Sequence, residues 1–151
     1  YEILIGLVGS EMCIRDSVET DGQPLHGTVC KGKNWSWEAD SASFKPCLTV
    51  GKQTVRSCNV LGTADSWLRY GRGTNGKWYP VEPYSRFTLA VVAEGGRLTT
   101  YVNGLVDQSM EGDCDLRGLL LGACNGRIGS YAVYHRALNP AEIARLDSQC
   151  R

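Results

Sequence analysis

Phe87-Thr88-Leu89-Ala90-Val91-Val92-Ala93-Glu94-Gly95-Gly96-Arg97-Leu98-Thr99-Thr100-Tyr101-Val102-Asn103-Gly104 carries the alternation and turn residues of two successive β-hairpins. Phe87 to Ala93 is rich in strand formers, Glu94-Gly95-Gly96 supplies a turn, and Arg97 to Val102 returns. On the return, Leu98, Thr100 and Val102 share one face while Arg97, Thr99 and Tyr101 share the other, because side chains alternate along a strand. Asn103-Gly104 suits a type I′ hairpin turn, since both residue types tolerate positive φ. Leu105 to Gln108 is then expected to leave along the next strand.

Period two continues outward from this stretch. Trp35-Ser36-Trp37 alternates and reads as a strand whose two indoles face one way, as core. Ala42 to Val50 is expected to pair with Thr54 to Leu61 through a turn near Gly51-Lys52-Gln53-Thr54. Ser66 to Tyr70 reads as a short strand, Gly71 to Gly76 as a loop, and Lys77 to Pro83, with Pro80 and Pro83, as an edge or irregular segment. Leu119-Leu120-Leu121 has the continuous apolarity of a strand buried on both faces, and Ile128 to Tyr134 closes the strand list. One helix is expected, at the end. Asn139 is its N-cap, Pro140 its first residue, and Glu142 completes a capping box. Leu138 and Ile143 form a hydrophobic staple, and the expected length is about two turns. Many short strands between Gly-rich turns, with one terminal helix, predict an all-β antiparallel sandwich of jelly-roll type.

The chain has 151 residues, enough for one domain; 42% are hydrophobic and 21% charged, so a core can be buried. Sixteen basic residues balance sixteen acidic ones, which leaves no basic field for nucleic acid. The apolar run Ile3 to Val8, broken by Gly6, is too short to span a membrane. Residues 1–17, ending Met12-Cys13-Ile14-Arg15-Asp16-Ser17, resemble translated sequencing-adapter read-through in assembled transcripts. They are expected to be non-native, with the domain proper running over 18–151 and its true N-terminal part missing. The other reading of Tyr1 to Val8 is a genuine strand.

Cysteine usage agrees with that boundary. Seven Cys is an odd number; setting Cys13 aside leaves Cys30, Cys47, Cys58, Cys114, Cys124 and Cys150. Such a set suggests disulfides and an oxidising, extracellular compartment. Hairpin geometry suggests Cys47–Cys58 across two strands, Cys114–Cys124 closing a short loop, and Cys30–Cys150 tying the ends. Asn34-Trp35-Ser36 is a glycosylation sequon, in keeping with secretion.

Three pieces resemble the C-terminal half of a laminin G-like, concanavalin A-like lectin jelly roll. They are Phe87 to Gly96, then Leu98 to Gly104 with its Tyr-Val-Asn-Gly hairpin, then Gly126-Arg127-Ile128 followed by Val133-Tyr134-His135-Arg136-Ala137-Leu138 and Glu142-Ile143. The resemblance covers Phe87 to Leu146; Gly129-Ser130 stands where the family usually carries an acidic pair. It implies a β-sandwich that binds a glycan or a cell-surface protein without catalysis. Related glucanases carry an acidic strand, Glu-x-Asp-x-x-Glu or Glu-x-Asp-x-Glu, and this chain has none. Asp113-Cys114-Asp115 is the nearest approach and lies in an expected loop.

No Gly-x-Ser-x-Gly, His-Glu-x-x-His or phosphate loop occurs, and His26 and His135 have no evident nucleophile partner. Calcium is the one cofactor the resemblance suggests, with Asp107, Asp113 and Asp115 as candidate ligands; the competing reading is solvated loop carboxylates. Trp67 and Tyr70 flank a Gly-rich loop, and Trp78 and Tyr79 follow it. Rings so placed can stack on a sugar face, or can simply be core. Three functions compete: an extracellular module recognising a glycan or extracellular protein, a structural or adhesive spacer, and a fragment of a glycoside hydrolase lacking its catalytic strand. The chain is expected to be part of a larger protein.

Overall fold

The computed structural model describes residues 11–19, 26–39, 46–57, 70–72, 78–80, 86–115, 117–124 and 126–150. Among the described residues, twelve strands and one helix follow in order: β1 Glu11–Glu19, β2 Gly27–Lys31, β3 Trp35–Ala39, β4 Pro46–Val50, β5 Gln53–Arg56, β6 Tyr70–Arg72, β7 Trp78–Pro80, β8 Arg86–Glu94, β9 Arg97–Val102, β10 Leu105–Glu111, β11 Leu120–Leu121, β12 Arg127–Tyr134 and α1 Pro140–Cys150. Two five-stranded antiparallel sheets, ordered β10-β9-β8-β1-β12 and β11-β2-β3-β4-β5, form the expected all-β sandwich; β6 and β7 make a separate two-stranded ribbon.

The deciding stretch folds as its alternation requires. β8 and β9 pair from Leu89 opposite Val102 to Glu94 opposite Arg97. Asn103 and Gly104 take φ of 52° and 78°, the left-handed pair of a type I′ turn. Asn103 grips the start of β8 twice: its N–H donates to Thr88 O at 2.9 Å, and its Oδ1 accepts from Thr88 N at 3.1 Å.

The main core lies between the sheets. Met12, Ile14, Leu89, Val91, Ala93, Leu98, Val102 and Val133 of the first sheet meet Val29, Trp35, Trp37, Ala39 and Leu48 of the second. Both indoles are core, as expected of Trp35 and Trp37. A second cluster covers the other face of the first sheet, where Cys13, Ala90, Val92 and Tyr101 pack under Leu138 and Ile143. Burial raises the Tyr101 hydroxyl pKa, with Cys13 and Glu94 adding to the effect.

The helix starts as its sequence dictates. Glu142 N–H donates to Asn139 Oδ1 at 2.9 Å and Asn139 N–H donates to Glu142 Oε1 at 3.1 Å, a reciprocal capping box. Arg136 forks onto the same carboxylate, so Glu142 falls to a pKa of about 2. At 11 residues the helix exceeds the two turns expected. The extension is tied to the sheet, since Thr88 Oγ1 hydrogen-bonds Asp147 Oδ1. A Cβ at Gly104 would stand 3.2 Å from Ala144 Cα, so the hairpin turn and helix approach backbone to backbone.

Two local expectations change, and a third meets the sheet. β11 is only Leu120–Leu121 and forms a sheet edge, with Leu120 57% exposed instead of buried on both faces. Gly71 and Arg72 belong to β6, not to the loop. The expected boundary at residue 17 falls inside β1, which pairs with β8 on one side and β12 on the other. Cys13 and Ile14 are fully buried there on opposite faces. Any sequence at those positions must therefore supply side chains that suit a strand covered twice.

Candidate functional site

The ribbon carries three of the four aromatic candidates. Register sets Tyr70 opposite Pro80, Gly71 opposite Tyr79 and Arg72 opposite Trp78. Pro80 sits where a two-stranded ribbon can accept it, since every strand there is an edge. Among the described residues, neither β6 nor β7 pairs with a strand of either five-stranded sheet. Trp67 lies outside the described residues.

The carboxylates expected as a calcium set have separate surroundings. Asp107 is 2% exposed on β10, Asp113 is exposed, and Asp115 is buried. Arg117 holds the Asp115 carboxylate, Nε standing 3.0 Å from both oxygens and Nη2 2.6 Å from Oδ2. These bonds depress the Asp115 pKa to about 2 and commit its lone pairs. Among the described residues no group of three or more His, Cys, Asp or Glu could hold a metal ion, so the calcium triad is not assembled.

Asn34 has a role that the sequon did not suggest. Its Nδ2 donates to Asp113 O at 2.9 Å, and its Oδ1 accepts from Asp115 N at 2.7 Å. Trp35 Nε1 donates to Asp115 O at 2.8 Å. A Cβ on Gly32 would stand 2.2 Å from Trp35 Nε1 and 2.3 Å from Asp115 O. The turn before β3 therefore latches the Asp113–Asp115 loop across the sandwich end. The short polar run Gly32-Lys33-Asn34 ahead of two core tryptophans was the available signal, because a buried indole N–H needs an acceptor.

The cysteine expectations fare unevenly. Cys114 and Cys124 are both thiols, so the expected Cys114–Cys124 bridge is not formed. Cys114 is buried among core side chains, which with Asp113 nearby pushes its pKa up to about 12, while Cys124 Sγ lies 3.7 Å from Gly126 O. Register places Cys47 opposite Arg56; Cys58 and the Cys150 side chain lie outside the described residues. Of the histidines, His26 is exposed, and His135 Nε2 is buried without a hydrogen-bond partner. No helix among the described residues is long and apolar enough to cross a membrane.

No family model matches the chain, and no curated protein matches it in sequence. Solved structures share its fold. A Bacteroides ovatus protein provisionally described as carbohydrate-binding superposes over 95% of this chain at a TM-score of 0.64 and 14% identity, using 42% of its own length. The binding domain of botulinum neurotoxin DC, solved with rat synaptotagmin II, covers 94% of the chain at a TM-score of 0.57 and 14% identity. Botulinum neurotoxin type C, whose cell entry depends on two ganglioside molecules, covers 94% at 0.55 and 13%. The chain spans 36% of each toxin structure's length. These likenesses establish a β-sandwich shared with carbohydrate-binding and receptor-binding domains.

Proposed function

We propose that this chain is an extracellular, non-catalytic recognition module of laminin G-like type, which binds a glycan through the β6–β7 ribbon. The observation carrying the reading is the ribbon itself. It gathers Tyr70, Trp78 and Tyr79 on two short paired strands that belong to neither sheet. Aromatic rings offer a sugar an apolar face to stack on. The likeness in fold to carbohydrate-binding and ganglioside-dependent proteins supports this reading, as does the lack of an acidic catalytic strand in the sequence. Recognition of a cell-surface protein is the second reading, favoured by the fold shared with a domain solved on synaptotagmin II.

Glycan-array binding by the wild-type chain and by Trp78→Ala and Trp67→Ala tests this. Retention of defined glycans by wild type, lost in the variants, supports the reading. An array without retention, combined with capture of an extracellular protein, moves the assignment to protein recognition.

A further inference from the structure

We infer that Asn34 is closed to N-glycosylation in the folded domain: a glycan on its Nδ2 and the latch it makes with the Asp113–Asp115 loop exclude one another. The inference concerns the chain as a glycan acceptor and stands apart from what the ribbon binds.

Asn34-Trp35-Ser36 has the acceptor pattern, and Asn34 is exposed, so solvent access alone would leave it open. Its side-chain amide is engaged at both ends. Oδ1 accepts from Asp115 N at 2.7 Å while Nδ2 donates to Asp113 O at 2.9 Å. Those two main-chain groups flank one residue, Cys114, so a single planar amide meets both only edge-on. Edge-on pairing uses the Nδ2 hydrogen that lies on the Oδ1 side.

That hydrogen is the one a glycan replaces. Transfer from a lipid diphosphate-linked oligosaccharide forms a bond from Nδ2 to the sugar's anomeric carbon. It breaks that carbon's bond to the diphosphate oxygen and releases one Nδ2 proton. The product is a secondary amide, trans like a peptide bond. Trans geometry sets the sugar carbon on the Oδ1 side and turns the remaining hydrogen away from Asp113 O. A glycan attached before folding would therefore leave Asp113 O and Asp115 N–H without their amide partner.

The surroundings hold the triplet in place. Lys33 N–H donates to Asp115 O at 3.3 Å, and a Cβ on Gly32 would stand 2.3 Å from that oxygen, so turn and loop already touch. Trp35 is buried with its Nε1 on Asp115 O, and Ser36 pairs with Lys31 on one side and Thr49 on the other. Asn34 and the hydroxyl residue two positions on must both reach a transferase. The folded chain holds one in the latch and the other between two ladders.

The test uses the unmodified chain made in bacteria, a purified single-subunit oligosaccharyltransferase with its lipid diphosphate-linked oligosaccharide, and a synthetic peptide of residues 31–40 as the unfolded acceptor. The peptide is expected to be modified roughly tenfold faster or more by mass spectrometry, since the folded chain must first open the latch. Equal rates overturn the inference. Exchange of the Asp115 amide is the second readout, because that N–H donates to Asn34. Asn34→Ala is expected to speed it, and Asn34→Asp, which keeps an acceptor oxygen, to speed it less. Ser36→Ala, which removes only the acceptor pattern, is expected to leave it unchanged. In protein secreted from eukaryotic cells, any glycosylated fraction is expected to melt several degrees below Ser36→Ala and to lose protection at the Asp115 amide. A glycosylated chain with the melting temperature of Ser36→Ala and a protected amide overturns the inference. So does an Asn34→Ala chain whose Asp115 amide stays protected.

Discussion

The two sheets solve burial differently. The centre of β10-β9-β8-β1-β12 is covered on both faces, by the opposing sheet on one and by α1 on the other. Every residue from Thr88 to Ala93 on β8 is accordingly buried. On β11-β2-β3-β4-β5 the inner face holds Trp35, Trp37, Ala39 and Leu48, while the outer face carries polar pairs. Thr28 Oγ1 donates to Glu38 Oε1 at 3.3 Å, and the Thr49 and Thr54 hydroxyls meet at 3.0 Å. Cys47, opposite Glu38, departs from this pattern by being buried. The lesson concerns reading strands: a continuous apolar run and an alternating one can belong to one sandwich, and the difference locates what lies behind each sheet.

A charge placed behind the first sheet has the largest expected effect. Val92→Asp, beneath α1, is expected to cost about 3 kcal/mol or more, because the carboxylate is buried without a partner; urea unfolding followed by tryptophan fluorescence measures it. Removing the cover is the next largest effect. Ile143→Ala is expected to cost about 2 kcal/mol or more, with the sandwich still folded and the sheet amides under α1 exchanging faster with deuterium. Cutting only the helix cap is milder: Asn139→Ala is expected to lose about 1 kcal/mol in the same assay.

Acid sharpens the comparison further. The carboxyls of Glu142 and Asp115 are held near pKa 2, below their ordinary values of 4.5 and 3.8. The unfolded chain therefore takes up protons first, so their stabilisation is complete above about pH 4.5 and lost as pH falls toward 2. Arg136→Gln and Arg117→Gln should each flatten the fall in melting temperature over that window. At the small end, Glu38→Ala on the outer face of the second sheet is expected to change stability by less than about 0.5 kcal/mol. A large loss there would mean that this face is covered too.

Local chemistry was legible wherever a few neighbouring residues sufficed. The Asn103-Gly104 turn, the Asn139–Glu142 cap and the pairing of β4 with β5 all follow from residues a few positions apart. Leu119 to Leu121 misled because apolarity alone cannot tell a central strand from an edge strand beside a pocket. The carboxylates considered for calcium show the same limit of sequence reading. Asp107, Asp113 and Asp115 are close in sequence, but β10 buries the first, and the partner that neutralises Asp115 is Arg117. Gly129-Ser130 stood out in the sequence as a departure from an acidic pair, and the register makes Gly129 the extra residue of a bulge in β12.

From its sequence alone, the chain is an antiparallel all-β domain with a capped terminal helix, because period-two alternation, turn glycines and capping residues act within a few positions of one another. Tertiary structure alone decided which face α1 covers, which strands are edges, and where Asn34 finds Asp113 and Asp115 some eighty residues away. Those outcomes depend on contacts between segments distant in the chain, and no local pattern of residues encodes a partner that only folding brings near.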